Sequence, residues 1–212
     1  MKVLLINGSP HIDGCTNTAL REVAKQLEEE NIETKIFWIG NKPISGCIAC
    51  SNCTKTGKCF INDIVNDFVE MAKDYDGFVF GSPVHYAAMS GNMKSFMDRV
   101  FYSAFCGKKG ANFRYKPVAG VLSARRAGTL SAYDEINKYF GITEMPIITS
   151  RYWNMVFGSK KEDVLKDEEG LQTMRILAKN MAYFLKCIEL GKKNNISLPI
   201  PERKIQTNFI RD

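Results

Sequence analysis

Met1-Lys2-Val3-Leu4-Leu5-Ile6-Asn7-Gly8-Ser9-Pro10-His11-Ile12-Asp13-Gly14-Cys15-Thr16-Asn17-Thr18 is the stretch from which the fold can be read. Met1 to Ile6 is an apolar run of the kind that forms a fully buried parallel strand. It leads directly into the turn cluster Asn7-Gly8-Ser9-Pro10. A helical pattern follows from Ala19 to Glu30, opened by Thr16-Asn17-Thr18. Strand, small-polar loop and helix start together make a geometry that holds a phosphate, because free backbone N–H groups and the helix dipole both favour an anion there. Ser9, Thr16, Asn17 and Thr18 add neutral donors. The stretch contains neither Gly-x-Gly-x-x-Gly nor Gly-Lys-Ser/Thr. No Lys or Arg lies between Lys2 and Arg21, so dipoles and hydroxyls would hold the anion. An ordinary βα turn with an N-cap accounts for the same residues.

Outward from that stretch, strand and helix patterns alternate. Thr34 to Ile39 reads as a second strand, followed by a long cysteine-bearing loop over 40–62. Asn62 is the expected cap of a helix over Asp63 to Lys73. Gly77 to Gly81, Val118 to Ser123 and Met145 to Thr149 read as three further strands, and 92–104, 129–140 and 168–190 as helices. Five strands alternating with helices predict a doubly wound, five-stranded parallel sheet in a three-layer α/β/α arrangement, with right-handed crossovers. The domain is expected over 1–191, with 192–212 a C-terminal tail. Ligands of such sheets bind beyond the carboxyl ends of the strands, which brings together the loops 7–18, 82–91 and 123–129.

The composition sets limits. A chain of 212 residues, 45% hydrophobic and 25% charged, suits one globular domain. The net charge of +6 is mild and its basic residues are scattered, which argues against nucleic acid as a partner. No stretch approaches the roughly twenty apolar residues of a membrane span, and the N-terminus lacks a signal-peptide pattern. Seven cysteines, an odd number, point to a reducing cytoplasm.

The second loop, Gly81-Ser82-Pro83-Val84-His85-Tyr86-Ala87-Ala88-Met89-Ser90-Gly91, is stiffened by Pro83, and its small residues let a flat ring approach the backbone. His85 or Tyr86 could line that ring, or be a surface histidine and a lid over core. The third, Ser123-Ala124-Arg125-Arg126-Ala127-Gly128, offers backbone N–H groups and two guanidinium groups, or solvated surface arginines.

Together, Ile6-Asn7-Gly8-Ser9-Pro10 with Gly14 and Thr16-Asn17-Thr18, Gly81-Ser82-Pro83-Val84-His85-Tyr86, and Gly91-x-x-Lys94-x-Phe96-x-Asp98-Arg99 resemble the NADPH-dependent FMN reductases of the flavodoxin-like group, over roughly residues 1 to 190. The resemblance implies FMN with its phosphate at Ser9, Thr16, Asn17 and Thr18. It implies the isoalloxazine ring against Pro83, Val84, His85 and Tyr86, with Ser123, Arg125, Arg126 and Gly128 near the ring's polar edge. His11 departs from the family pattern, where relatives often carry Arg, and so bears on the charge that meets the phosphate. The flavin performs the chemistry in such proteins, so no catalytic side chain is expected.

Cys47-Ile48-Ala49-Cys50-Ser51-Asn52-Cys53, then Cys59, make a C-x2-C-x2-C-x5-C run. Three thiolates this close, with a fourth a short loop later, suit a [4Fe-4S] cubane better than tetrahedral zinc, which usually takes two separated pairs. The run resembles the compact motif of the iron–sulfur flavoproteins. Reduced thiols without metal, and zinc, remain open alternatives. Cys15, Cys106 and Cys187 read as isolated buried thiols, with the Cys15 pKa open to lowering at a helix start.

The expected function is an FMN-dependent oxidoreductase. It would take electrons from NAD(P)H and pass them to a small acceptor or a redox partner protein. The alternative is an electron carrier with no turnover of its own. A homodimer or homotetramer is expected, with Tyr152, Trp153 and the stretch 101–105 as candidate anchors.

Overall fold

The computed structural model describes residues 1–200, 202, 205 and 207. Its strands are β1 (Lys2–Asn7), β2 (Glu33–Trp38), β3 (Gly77–His85), β4 (Ala88–Met89), β5 (Val118–Ala124) and β6 (Met155–Phe157). Its helices are α1 (Cys15–Glu29), α2 (Asn52–Thr56), α3 (Ile64–Met71), α4 (Gly91–Cys106), α5 (Thr129–Ile142), α6 (Lys161–Val164) and α7 (Glu168–Lys193). The sheet runs in the order β2-β1-β3-β5-β6, and every neighbouring pair along it is parallel. Only β4 is antiparallel, folded back on the end of β3. The order reverses between β1 and β3, which makes that junction the switch point at which such sheets bind ligands.

Strict alternation along the buried strands assigns the two faces. Leu4, Ile6, Phe78 and Phe80 pack on the α3, α4 and α5 side. Val3, Leu5, Val79 and Val121 pack on the α1 and α7 side. The first face is aromatic: Phe68 of α3 lies 5.0 Å from Phe96 of α4 and within about 6.5 Å of Phe37, Phe78, Phe80 and Phe113. Phe101 joins this core rather than anchoring a surface. On α7, Met174, Leu177, Met181 and Leu185 form the buried stripe, whereas Phe184 is half exposed against Tyr183.

Two boundaries differ from the sequence reading. The cap of α3 is Asp63, whose carboxylate accepts from Val65 N at 3.1 Å, one residue later than Asn62. The fifth parallel position is a strand in two pieces. Residues 145–149 contribute a single parallel bridge, Ile147 to Val118. The chain then leaves the sheet at Ser150 to Trp153 and returns as β6, pairing with Leu122, Ser123 and Ala124. Asn154, wholly buried at the point of re-entry, keeps the ladder through its carbonyl, which accepts from Leu122 N at 2.9 Å. The helix expected to end near 190 runs on to Lys193, and most of the tail beyond residue 200 lies outside the described residues. No described helix is long and apolar enough to cross a membrane.

Candidate functional site

The carboxyl end of the sheet opens into a cleft of about 530 Å³. Its walls come from four segments: Ser9 to Thr16 after β1, Pro83 and Val84 in β3, Ser123 to Arg125 at the end of β5, and Gly158 to Glu162 after β6. Gly81 lets α1 sit directly on the switch point, since a Cβ there would lie 2.9 Å from both Thr16 Cγ2 and Leu20 Cδ1. Gly8 N donates to Gly81 O at 2.8 Å, joining the first and second loops. Trp38 Nε1 donates to Ser9 O at 2.8 Å and anchors the first loop to the end of β2.

Donors face this cleft with protons to spare. The helix α1 starts at Gly14 with no side-chain cap and no acid in its first turn. Its first i→i−4 bond is Thr18 N to Gly14 O, so the N–H groups of Cys15, Thr16 and Asn17 precede the helical ladder. Ser9 Oγ accepts from His11 N at 3.2 Å, which leaves its own proton free. Thr16 Oγ1 and Ser123 Oγ share one hydrogen bond at 2.8 Å and have one proton left between them. Thr18 is different: its hydroxyl donates to Gly14 O at 3.1 Å and is spent within the helix. Asn17 is buried and turns its amide toward Asp13.

Cationic groups ring the rim. Lys161 Nζ meets Asp13 Oδ2 at 2.6 Å across the cleft mouth, and this bond, with the ammonium charge, holds the Asp13 carboxyl below its ordinary range. Lys160 and Arg125 also line the cleft. Cys15 lines it too, with Sγ 3.5 Å from Gly158 O, and burial pushes its thiol pKa up rather than down. It is only partly buried, as is Cys106, and Cys187 is exposed.

The second loop is a hairpin. His85 pairs with Ala88 across a two-residue turn, Tyr86-Ala87, in which both residues are left-handed, φ 50° and 59°. Tyr86 is fully exposed at its tip. Gly128, φ +89°, backs the turn, and a Cβ there would come within 2.9 Å of Ala87 Cα. Glu135 Oε2 accepts from Met89 N at 3.0 Å and Ser82 Oγ from Ser90 N at 3.0 Å, so the hairpin is tied at its base. His85, Tyr86, Arg126 and Gly128 therefore flank the cleft without lining it.

A second cavity lies under the cysteine loop. Cys47, Cys50, Cys53 and Cys59 all line it, together with Arg99, Tyr102 and Ser103 of α4. It holds only about 20 Å³, roughly one water. Among the described residues no three His, Cys, Asp or Glu side chains are close enough to share a single ion. A cubane would take one thiolate on each of four irons, and the four cysteines around this cavity match that donor set. The segment 47–51 is left-handed at Ala49 and Ser51, φ 52° and 55°, on either side of Cys50. Cys53 is buried on α2, and burial, then neighbouring Cys106, raises its pKa.

The neck of this loop is closed by one side chain. Arg99 is 1% exposed. Its Nη1 and Nη2 fork onto Asp63 at 2.6 and 2.8 Å. Nη1 also reaches Ser45 O at 3.3 Å, Nη2 reaches Ile61 O at 2.9 Å, and Nε points at Cys59 Sγ, 3.3 Å away. Burial opposes its charge, but the bonds to Asp63 and Cys59 outweigh that and keep it protonated. Replacing Asp63 by an apolar residue would leave the buried guanidinium unpaired, at a cost of about 3–5 kcal/mol.

The family described as NADPH-dependent FMN reductase matches residues 1–160. The chain belongs to that family. An iron–sulfur flavoprotein of Methanocaldococcus jannaschii is 32% identical over 197 residues, covering 89% of this chain and all of the relative. Another, from Archaeoglobus fulgidus, is 31% identical over 196 residues, covering 87% and 97%. A flavodoxin structure from the domain Archaea superposes with a TM-score of 0.58 at 16% identity, over 88% of this chain and 99% of that one. The last of these bears on the fold alone, and confirms it as flavodoxin-like.

Flavin binding and oxidoreductase chemistry come with membership of the FMN reductase family. Of the residues singled out in the sequence, Ser9, His11, Thr16, Pro83, Val84, Ser123 and Arg125 share the cleft. The wall from Gly158 to Glu162 was missed. The signal for it was Gly158-Ser159 just ahead of a short polar helix, hidden because the fifth strand had been placed at 145–149. Within the motif Gly91-x-x-Lys94-x-Phe96-x-Asp98-Arg99, Phe96 is core, Lys94 bonds Tyr139 at 2.6 Å between α4 and α5, and Arg99 closes the cysteine loop.

Proposed function

We propose that the protein is an FMN-dependent oxidoreductase that draws electrons from NAD(P)H and passes them on through a [4Fe-4S] cluster in the cysteine loop. The observation that carries this reading is the presence, on one domain, of an uncapped helix start in the cleft at the carboxyl end of the sheet and of four cysteines around a separate cavity against the second half of α4. When bound, FMN supplies hydride acceptance and the cluster supplies one-electron steps.

The protein's own part is binding and positioning. The N–H groups of Cys15, Thr16 and Asn17, the Ser9 hydroxyl and the Thr16–Ser123 pair would hold the phosphate, and Lys160 and Arg125 add positive charge at the rim, where Lys161 is already paired with Asp13. Pro83 and Val84 give the ring an apolar wall. Cys47, Cys50, Cys53 and Cys59 hold the cluster. The two sites are mechanically joined. Trp38 ties β2 to Ser9, and Asn92 at the start of α4 bonds Lys42 O and Ile44 N at 3.0 and 3.3 Å on the way into the cysteine loop.

The test uses protein made and purified without oxygen, assayed for flavin, iron and acid-labile sulfide, and then mixed with NADPH or NADH and free flavin or a quinone. Flavin, about four iron per chain and steady nicotinamide oxidation support the proposal. Both cofactors present without nicotinamide turnover would make the protein an electron carrier. Flavin without iron would leave a flavin-only reductase.

A homodimer or homotetramer belongs to the same proposal. Tyr152 and Trp153, stacked edge to face at 4.7 Å and about half exposed on the excursion between the two pieces of the fifth strand, are the favoured contacts. Light scattering should give at least twice the single-chain mass, and a monomer rules this part out.

A further inference from the structure

Arg99 spends all five of its N–H donors. Four go to the neck of the cysteine loop: two to the Asp63 carboxylate, one to Ser45 O and one to Ile61 O. These bonds fix the guanidinium plane, and the fifth donor, Nε–H, is thereby aimed at Cys59 Sγ at 3.3 Å. Among the described residues, no other thiol of the loop receives a side-chain hydrogen bond. A structural clamp needs only the four oxygen contacts. The fifth bond puts a permanent cation and a rigid donor on one prospective cluster ligand, out of contact with solvent.

We propose that Arg99 sets the reduction potential of the cluster, acting as a positioning residue through Cys59. The proposal rests on the reading that the four cysteines hold a cubane. Reduction adds one electron, and the extra negative charge is shared with the thiolate sulfurs. A hydrogen bond and a fixed positive charge at a sulfur stabilise the reduced form more than the oxidised one and raise the potential. Asp63 partly offsets that charge and so works in the opposite direction. The bond would also make the four ligands inequivalent.

The test is a redox titration of anaerobic holoprotein, following the reduced cluster by electron paramagnetic resonance and the flavin by absorbance. It compares the unaltered protein with Arg99→Lys and Asp63→Asn. Lysine keeps the charge but loses the locked Nε–H donor, so the cluster potential should fall. Asparagine keeps an acceptor for Val65 N and removes the offsetting charge, so the cluster potential should rise. The flavin potential should stay where it is in both. A merely structural role would not move the two variants in opposite directions. Cluster potentials unchanged in both iron-loaded variants, or shifted the same way, would overturn the proposal. If Arg99→Lys fails to hold iron, Asp63→Asn decides alone: a rise supports the proposal and no change defeats it. Unaltered protein that contains flavin but no iron defeats the cluster reading itself, and this proposal with it.

Discussion

Apo-protein carrying Ser9→Ala together with Thr16→Val is expected to bind FMN roughly two to four orders of magnitude more weakly than unaltered apo-protein. Each hydrogen bond to a charged group contributes about 1.5–3 kcal/mol, and tenfold in affinity is about 1.4 kcal/mol. Both hydroxyls line the cleft with protons available, Ser9 outright and Thr16 through its shared bond with Ser123. Valine at 16 keeps the methyl that packs over Gly81, so the loss should appear in affinity and not in folding. The control is Thr18→Val. Its hydroxyl proton already belongs to Gly14 O, and its affinity should change little. Flavin titration by fluorescence quenching reads all three. Full affinity in the double variant, or a larger loss at Thr18 than at Ser9 and Thr16, would remove the phosphate from this loop.

Cys50→Ala is expected to take iron from about four per chain, the content of one cubane, to none, while FMN stays bound. Cys50 is the clean choice because it is exposed, whereas Cys53 is buried and its loss would also disturb the packing of α2. The flavin cleft shares no lining residue with the cysteine cavity, so the two cofactors should be separable. Iron and sulfide assays beside flavin release settle it. Iron retained at full stoichiometry would mean that Cys50 is not a ligand.

Much of this architecture was legible because buried parallel strands announce themselves. Met1 to Ile6, Gly77 to Gly81 and Val118 to Ser123 are apolar on both faces and bounded by turn residues, and they became β1, β3 and β5. The fifth strand was not legible in the same way. Met145 to Thr149 has the apolar pattern, but the chain leaves the sheet after one bridge, and the strand that pairs with the end of β5 is only three residues, Met155 to Phe157. Three residues carry no readable period. The cost was local but functional, since the loop after the true strand supplies Lys160 and Lys161 to the cleft. Side-chain hydrogen bonding was beyond reach too. Nothing in Thr16-Asn17-Thr18 says which hydroxyl turns back into the helix, and the position of Cys15 at a helix start suggested a lowered pKa that its burial reverses. The four cysteines were read together from spacing alone. Arg99 stood in the sequence as part of a motif, but its contacts with the neck of the cysteine loop, 36 to 54 residues away, appear only in the folded chain.

The clamp on the cysteine loop also has an order in time. A chain is made from its N-terminus, at about 5–20 residues per second. Arg99 follows Cys59 by 40 positions, so Cys47, Cys50, Cys53 and Cys59 precede the residue that gathers their loop by about two to eight seconds. During synthesis, therefore, the thiols form an open and reactive segment. A factor delivering iron or guarding against oxidation would have its readiest access to the nascent chain in that interval, and after it would meet a loop already drawn closed.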